Sequence, residues 1–157
     1  MFSRILLATD FADAARPSVD WAGGLAALEG GTVVVVHALE HDLVAHAPDF
    51  AGWLESGDVD LGHYKDEIRR AAEKALQEIS DRLEAKEVDV ETHLLEGRRP
   101  SEVLAQAVID LKCSVMVLAN QGRGGMARWL LGSTAEKVIR TSPCPVLIVH
   151  DGDSAPG

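Results

Sequence analysis

Residues 118–138, LANQGRGGMARWLLGSTAEKV, gather Gly122, Gly124, Gly125 and Gly132 around Arg123, Arg128 and the pair Ser133-Thr134. Glycines permit positive φ and close approach of the backbone to a ligand. Successive N–H groups in such a turn form a concave nest for an anion. A helix starting at Ser133 adds unpaired N–H donors and the positive end of its dipole. Ser133, Thr134, Ala135 and Glu136 have the spacing of a capping box, which predicts that start. Arg123 and Arg128 could contribute bidentate contacts to phosphate oxygens. The chemistry expected of this stretch is therefore a grip on phosphate.

Two better-known phosphate loops do not fit. A Walker loop carries lysine after its last glycine, whereas Ser133 follows Gly132 directly. Gly122-x-Gly124-x-x-Ala127 has the spacing of a dinucleotide fingerprint, but that motif follows an early strand and precedes an acid at the tip of the next one. Here the next strand ends near His150 with no acid in place.

The elements that would position this loop follow from hydrophobic spacing. Strands are predicted at 4–10, 32–39, 88–97, 114–119 and 145–150, and helices at 13–29, 63–86, 100–111 and 133–141. The run TVVVVHAL is too densely β-branched for an exposed face and reads as a strand covered on both sides. Gly30-Gly31 punctuate the first helix and Pro100 opens the third. Alternating strands and helices imply an α/β fold, an open five-stranded parallel sheet with helices on both faces. Ligands of such sheets bind beyond the carboxyl ends of the strands, where strand order reverses. If the chain starts in the middle of the sheet, Thr9 and Asp10 at the tip of the first strand lie opposite the glycine loop past the fourth. Residues 1–150 are expected to form a single domain. The stretch 40–62, with six Asp or Glu and the aromatics Phe50 and Trp53, reads as a long acidic loop or lid, and 151–157 as a frayed tail.

Composition narrows the partners. Of 157 residues, 46% are apolar and 25% charged, with a formal net charge of −10. That balance argues against a nucleic-acid partner or an anionic membrane surface, both of which call for a basic face. No apolar run approaches the ~20 residues of a membrane span. MFSRILLATDF passes straight into a strand-like run without a cleavage-site pattern, so a cytoplasmic protein is expected. Cys113 and Cys144 are expected to be free thiols. The six histidines show no metal-ligand spacing. No nucleophile with a neighbouring base and no paired carboxylates emerge, which leans away from an enzyme.

The segments ILLATDFADAA, VVVVHAL, LLEGRRPSEVLAQAV and GRGGMARWLLGSTAEKVIRTSPCPVLIV resemble the universal stress protein family over nearly the whole chain. The nucleotide-binding branch of that family carries Gly, two residues, Gly, nine residues, Gly, then Ser or Thr. In this sequence the pattern falls on Ala119, Gly122, Gly132 and Ser133, with alanine at the first position. The family's aspartate after the first strand falls on Asp10, and its adenine-side position at the end of the second strand on Ala38. The resemblance implies a Rossmann-like fold of the adenine-nucleotide alpha-hydrolase kind. It also implies ATP with a divalent ion such as Mg2+ or Mn2+, a homodimer joined through 145–149, and a role in stress tolerance. The expected ligand contacts are then Thr9, Asp10, Ala38, Ala119, Gly122, Arg123, Gly125, Gly132, Ser133 and Thr134. A strand end has negative φ, so Ala119 is expected to be tolerated. Alternatives are a nucleotide-free interaction protein of the same family, a slow ATPase, and a phospho-receiver. The receiver is disfavoured because Asp10 stands without a second acid beside it and no lysine follows the last strand.

Overall fold

A computed structural model describes residues 2–11, 15–40, 61–120, 132–150 and 152–155. Five strands, β1 (Arg4–Ala8), β2 (Thr32–Glu40), β3 (Asp89–Gly97), β4 (Val115–Asn120) and β5 (Val146–His150), form one sheet in the order β3-β2-β1-β4-β5. All four pairings are parallel. The helices are α1 (Arg16–Glu29), α2 (Leu61–Glu84), α3 (Pro100–Asp110) and α4 (Ser133–Thr141). The α/β architecture expected from the sequence is the one observed.

The strands in the middle are apolar because both their faces are covered. Ile5, Leu7, Val33, Val35, Val115 and Val117 face one layer, where they meet Val19, Ala22 and Ala26 of α1 and Leu76 and Leu83 of α2. Leu6, Val34, Val36, Met116 and Leu118 face the other, against Leu104, Ala107 and Val108 of α3 and Val138 of α4. Each fully buried Val or Leu of these strands contributes about 1.5–3 kcal/mol.

Several element ends differ from the expected ones, each for a local reason. β1 stops at Ala8; Thr9 N–H still donates to the Val36 carbonyl at 3.1 Å, but the chain then bends at Phe11, whose φ is 62°. α1 is described from Arg16, with Pro17 in its first turn, and stops at Gly30, which takes φ 63°. α2 starts at Leu61, two residues early, and ends at Glu84, because Glu87 takes φ 59° with no glycine to provide it. β2 runs to Glu40, so the expected 40–62 connection is shorter; Phe50, Trp53 and the rest of 41–60 lie outside the described residues. Of the tail, Asp153 turns back on β5, its carboxylate accepting the His150 N–H at 2.8 Å. Gly97 ends β3 where a Cβ would collide with Val103 of α3, which draws the start of α3 against the sheet.

Ion pairs tie the layers at the rim. Arg82 of α2 and Lys86 just past its end hold Asp20 of α1 at 2.7 and 2.8 Å, and Arg69 of α2 pairs with Glu96 of β3. Arg4 spans the amino-terminal edge of the sheet, donating to both carboxylate oxygens of Glu91 at 2.7 Å and from Nε to the Leu111 carbonyl at 2.8 Å. Both cysteines are free thiols, and burial pushes Cys113 up to about 11. Among the described residues no helix is long and apolar enough to cross a membrane.

The hydrogen bond from Arg4 holds Glu91 below the ordinary carboxylate range. A carboxylate whose folded-state pKa is depressed contributes stability above its unfolded pKa of ~4.3 and loses it as pH falls through the folded value. Glu91→Gln should therefore cost under about 1 kcal/mol in urea denaturation at pH 7, the range of a solvent-exposed pair. The gap to the native sequence should close as the pH is lowered below ~4, since protonated Glu91 is then no better a partner than glutamine.

Candidate functional site

The order β2-β1-β4 places three strand tips side by side, and a cavity of about 490 Å3 opens above them. Its floor is apolar, formed by Ala8, Val36, Leu104 and Leu118. Thr9 and Asp10 reach it from β1, Ala38 from β2, Ala119 from β4, and Gly132, Ser133 and Thr134 from the start of α4. Seven of the ten expected contact residues thus share one crevice. Gly122, Arg123 and Gly125, with Gly124 and Arg128, lie outside the described residues.

The start of α4 differs from the expected capping box. Gly132 is the N-cap, at φ −60° and ψ 152°, and Ser133 is already the first helical residue. The Ser133 hydroxyl is therefore one position too late to cap, and no side-chain cap bond forms. Glu136 turns instead to Arg140, at 3.1 Å, while its N–H donates to the Gly132 carbonyl at 3.0 Å. The amides of Ser133, Thr134 and Ala135 have no intrahelical acceptor by the geometry of a helix start. Those donors and two exposed hydroxyls consequently line the cavity, a favourable lodging for an anion.

Ala119 sits inside β4, paired with Val149, and is not among the described non-glycine residues with positive φ. No backbone conformation there calls for glycine. Asn120 follows it, buried, its amide joined to His150 Nδ1 of β5 at 3.0 Å. This contact ties the β4 and β5 tips where the glycine-rich stretch departs.

Opposite α4, the tip of β1 is held by a compact set of bonds. The Phe11 N–H donates to Thr9 Oγ1 at 3.0 Å, His37 Nδ1 meets the Thr9 carbonyl at 2.7 Å, and the Phe11 and His37 rings lie 4.2 Å apart. A carbonyl only accepts, so Nδ1 carries the proton. Phenylalanine at φ 62° costs on the order of 1–2 kcal/mol, and such strain clusters at ligand sites. Asp10 lies between these anchors, exposed at the cavity edge. The N-cap of α1 is Ala15, so Asp10 is not the cap of that helix. His37, Pro100 and Leu104 also line the cavity and were not anticipated. Pro100 could have been found, because it opens the helix after the third strand; a lone histidine in a valine run gives no spacing signal.

The arrangement is polar at both ends and greasy below: a carboxylate near β1 and β2, amide and hydroxyl donors at α4, and an apolar floor between. Among the described residues no group of three or more His, Cys, Asp or Glu could hold a metal ion by itself. Gly132 has no unusual φ, and a Cβ there meets nothing within 4 Å among the described residues. Gly132→Ala should therefore cost no more than about 1 kcal/mol of stability, the loss expected of alanine at an N-cap. Any loss of ligand affinity in that variant, measured by calorimetry, would then report crowding of the ligand alone.

A model of the universal stress protein family matches residues 1–150. A universal stress protein of Thermus aquaticus is 32% identical over 150 residues, covering 96% of this chain and all of its own. A solved universal stress protein in complex with cAMP is 26% identical, with a TM-score of 0.65 and coverage of 96% and 98% of the two chains. The structure of one from Archaeoglobus fulgidus, 23% identical over 94% and 98%, reaches a TM-score of 0.72 and shares the fold. The chain belongs to the universal stress protein family.

Proposed function

We propose that the cavity binds an adenine nucleotide, with ATP its cellular ligand, and that the chain acts as a nucleotide-dependent binding and signalling module of the stress response in the cytoplasm. The observation that carries this reading is the polarity of the site. An apolar floor of Ala8, Val36, Leu104 and Leu118 suits a flat heterocycle, and the unpaired amides of α4 suit phosphate. The solved relative in complex with cAMP supports the adenine base. In this reading Thr9, Asp10 and Ala38 meet base and ribose and Ala119 lies beside the sugar. Gly132, Ser133 and Thr134 meet phosphate, joined by Gly122, Arg123 and Gly125.

A divalent ion fits the same arrangement. Mg2+ and Mn2+ are held mainly by phosphate oxygens, water and one or two oxygen ligands, and the Ser133 hydroxyl is the oxygen donor at hand at the phosphate end. The ion would neutralise phosphate charge that the acidic chain repels. Residues 1–150 act as one domain in this account.

Titration calorimetry with ATP tests the reading. Binding is expected below millimolar concentration, and Asp10→Ala and Ser133→Ala should each weaken it about tenfold, the effect of losing one hydrogen bond to a charged group. No heat at millimolar ATP would remove the proposal.

We also propose a homodimer joined through 145–149. Val146, Leu147 and Ile148 remain only half-buried on an edge strand. Apolar edges of this kind are normally covered. Light scattering on the eluting protein should give twice the chain mass at micromolar concentration, and a monomer there would contradict the interface.

A further inference from the structure

The geometry points to His37 as a positioning residue of the nucleotide site, one that keeps the tip of β1 from zipping onto β2. This inference rests on the adenine-nucleotide reading above. The β1–β2 ladder ends at the pair Ala8↔Val36, and the Thr9 N–H continues it by one bond, to the Val36 carbonyl. In a parallel ladder the next bond would run from the Ala38 N–H to the Thr9 carbonyl, because alternate residues of a strand turn their main-chain groups to the same neighbour. That carbonyl is instead taken by the imidazole of His37, at 2.7 Å.

The substitution of a side chain for a main-chain donor has two effects. First, it fixes the elbow that carries Asp10. The Thr9 carbonyl is held by His37, the Thr9 hydroxyl accepts the Phe11 N–H, and the Phe11 ring packs on the imidazole. Phe11 is thereby kept at φ 62°, and Asp10 is presented at the cavity edge. Second, the Ala38 N–H is left directed past the end of β1 into the cavity that Ala38 lines. A lone N–H there pairs with the acceptor N1 of adenine and opposes the protonated N1 of guanine. His37 therefore acts through Thr9 and Ala38, without being required to touch the ligand.

The Nδ1 proton is the group that matters, so the δ position decides which variants work. Asparagine places an amide N–H close to Nδ1; phenylalanine keeps the ring and leucine the bulk, but neither donates. The full chain and its His37→Phe, His37→Leu and His37→Asn variants are titrated with ATP and GTP, and their ligand-free melting temperatures are recorded. The donor-free variants should lose about tenfold in ATP affinity and most of the preference for ATP over GTP, while melting within a few degrees of the native chain. His37→Asn should retain both affinity and preference. Unchanged binding in a folded donor-free variant would overturn the inference. So would an equal loss in all three variants with the preference intact, which would mean that the ring only packs. A native chain that binds neither nucleotide would end the functional reading and this inference together, whereas native binding with indifferent variants would end the inference alone.

Discussion

Two neighbouring parallel strands that send the chain to opposite faces of the sheet create a gap that no side chain of the core can fill. β1 leads to α1 on one face, and β4 leads towards α4 on the other, while the two strands stay paired through Ala8 and Leu118. Everything at the site follows from that divergence. The main-chain groups of Thr9, Ala38 and Ala119 arrive at the rim of one cavity as the ladders run out. The start of α4 overhangs the same rim, bringing amides that the helix itself cannot satisfy.

Such a site suits an acidic protein. A net charge of −10 repels phosphate at long range, but that field is screened beyond ~8 Å at physiological salt. Recognition then depends on donors in direct contact, which backbone amides supply without adding a mobile charge. The cavity is also polarised along its length, with the Asp10 carboxylate towards β1 and β2 and the donors at α4. A ligand with a hydrogen-bonding base and sugar at one end and phosphate at the other matches that order. Strain at Phe11, offset by the contacts to Thr9 and His37, maintains the acidic end in place.

Much of this was legible in the residues. The valine run of β2, the glycine after α1 and the proline that opens α3 each report a local physical need, and together they give the order of elements and the reversal between β1 and β4. Asp10 and Ser133 come together because topology brings the strand tips together, as a reversal of strand order at β1 implies, whereas Ala38 is singled out only through the family resemblance. The failures are equally local. The capping box on Ser133 satisfies a spacing rule, yet the extended conformation of Gly132 occupies the cap position first. Phe11 and Glu87 adopt positive φ where the sequence offers no glycine, so neither bend announces itself. His37 is invisible for a related reason: its role depends on a carbonyl of another strand, and nothing in its own neighbourhood of valines points across the sheet.

The most direct test is a crystal structure of the full chain grown with AMP or ATP. The account predicts a base lying over Ala8, Val36 and Leu104 with its edge at Ala38, and phosphate oxygens within hydrogen-bond reach of the amides of residues 133–135. A nucleotide bound elsewhere on the molecule, or a cavity still empty at saturating ligand, would contradict it.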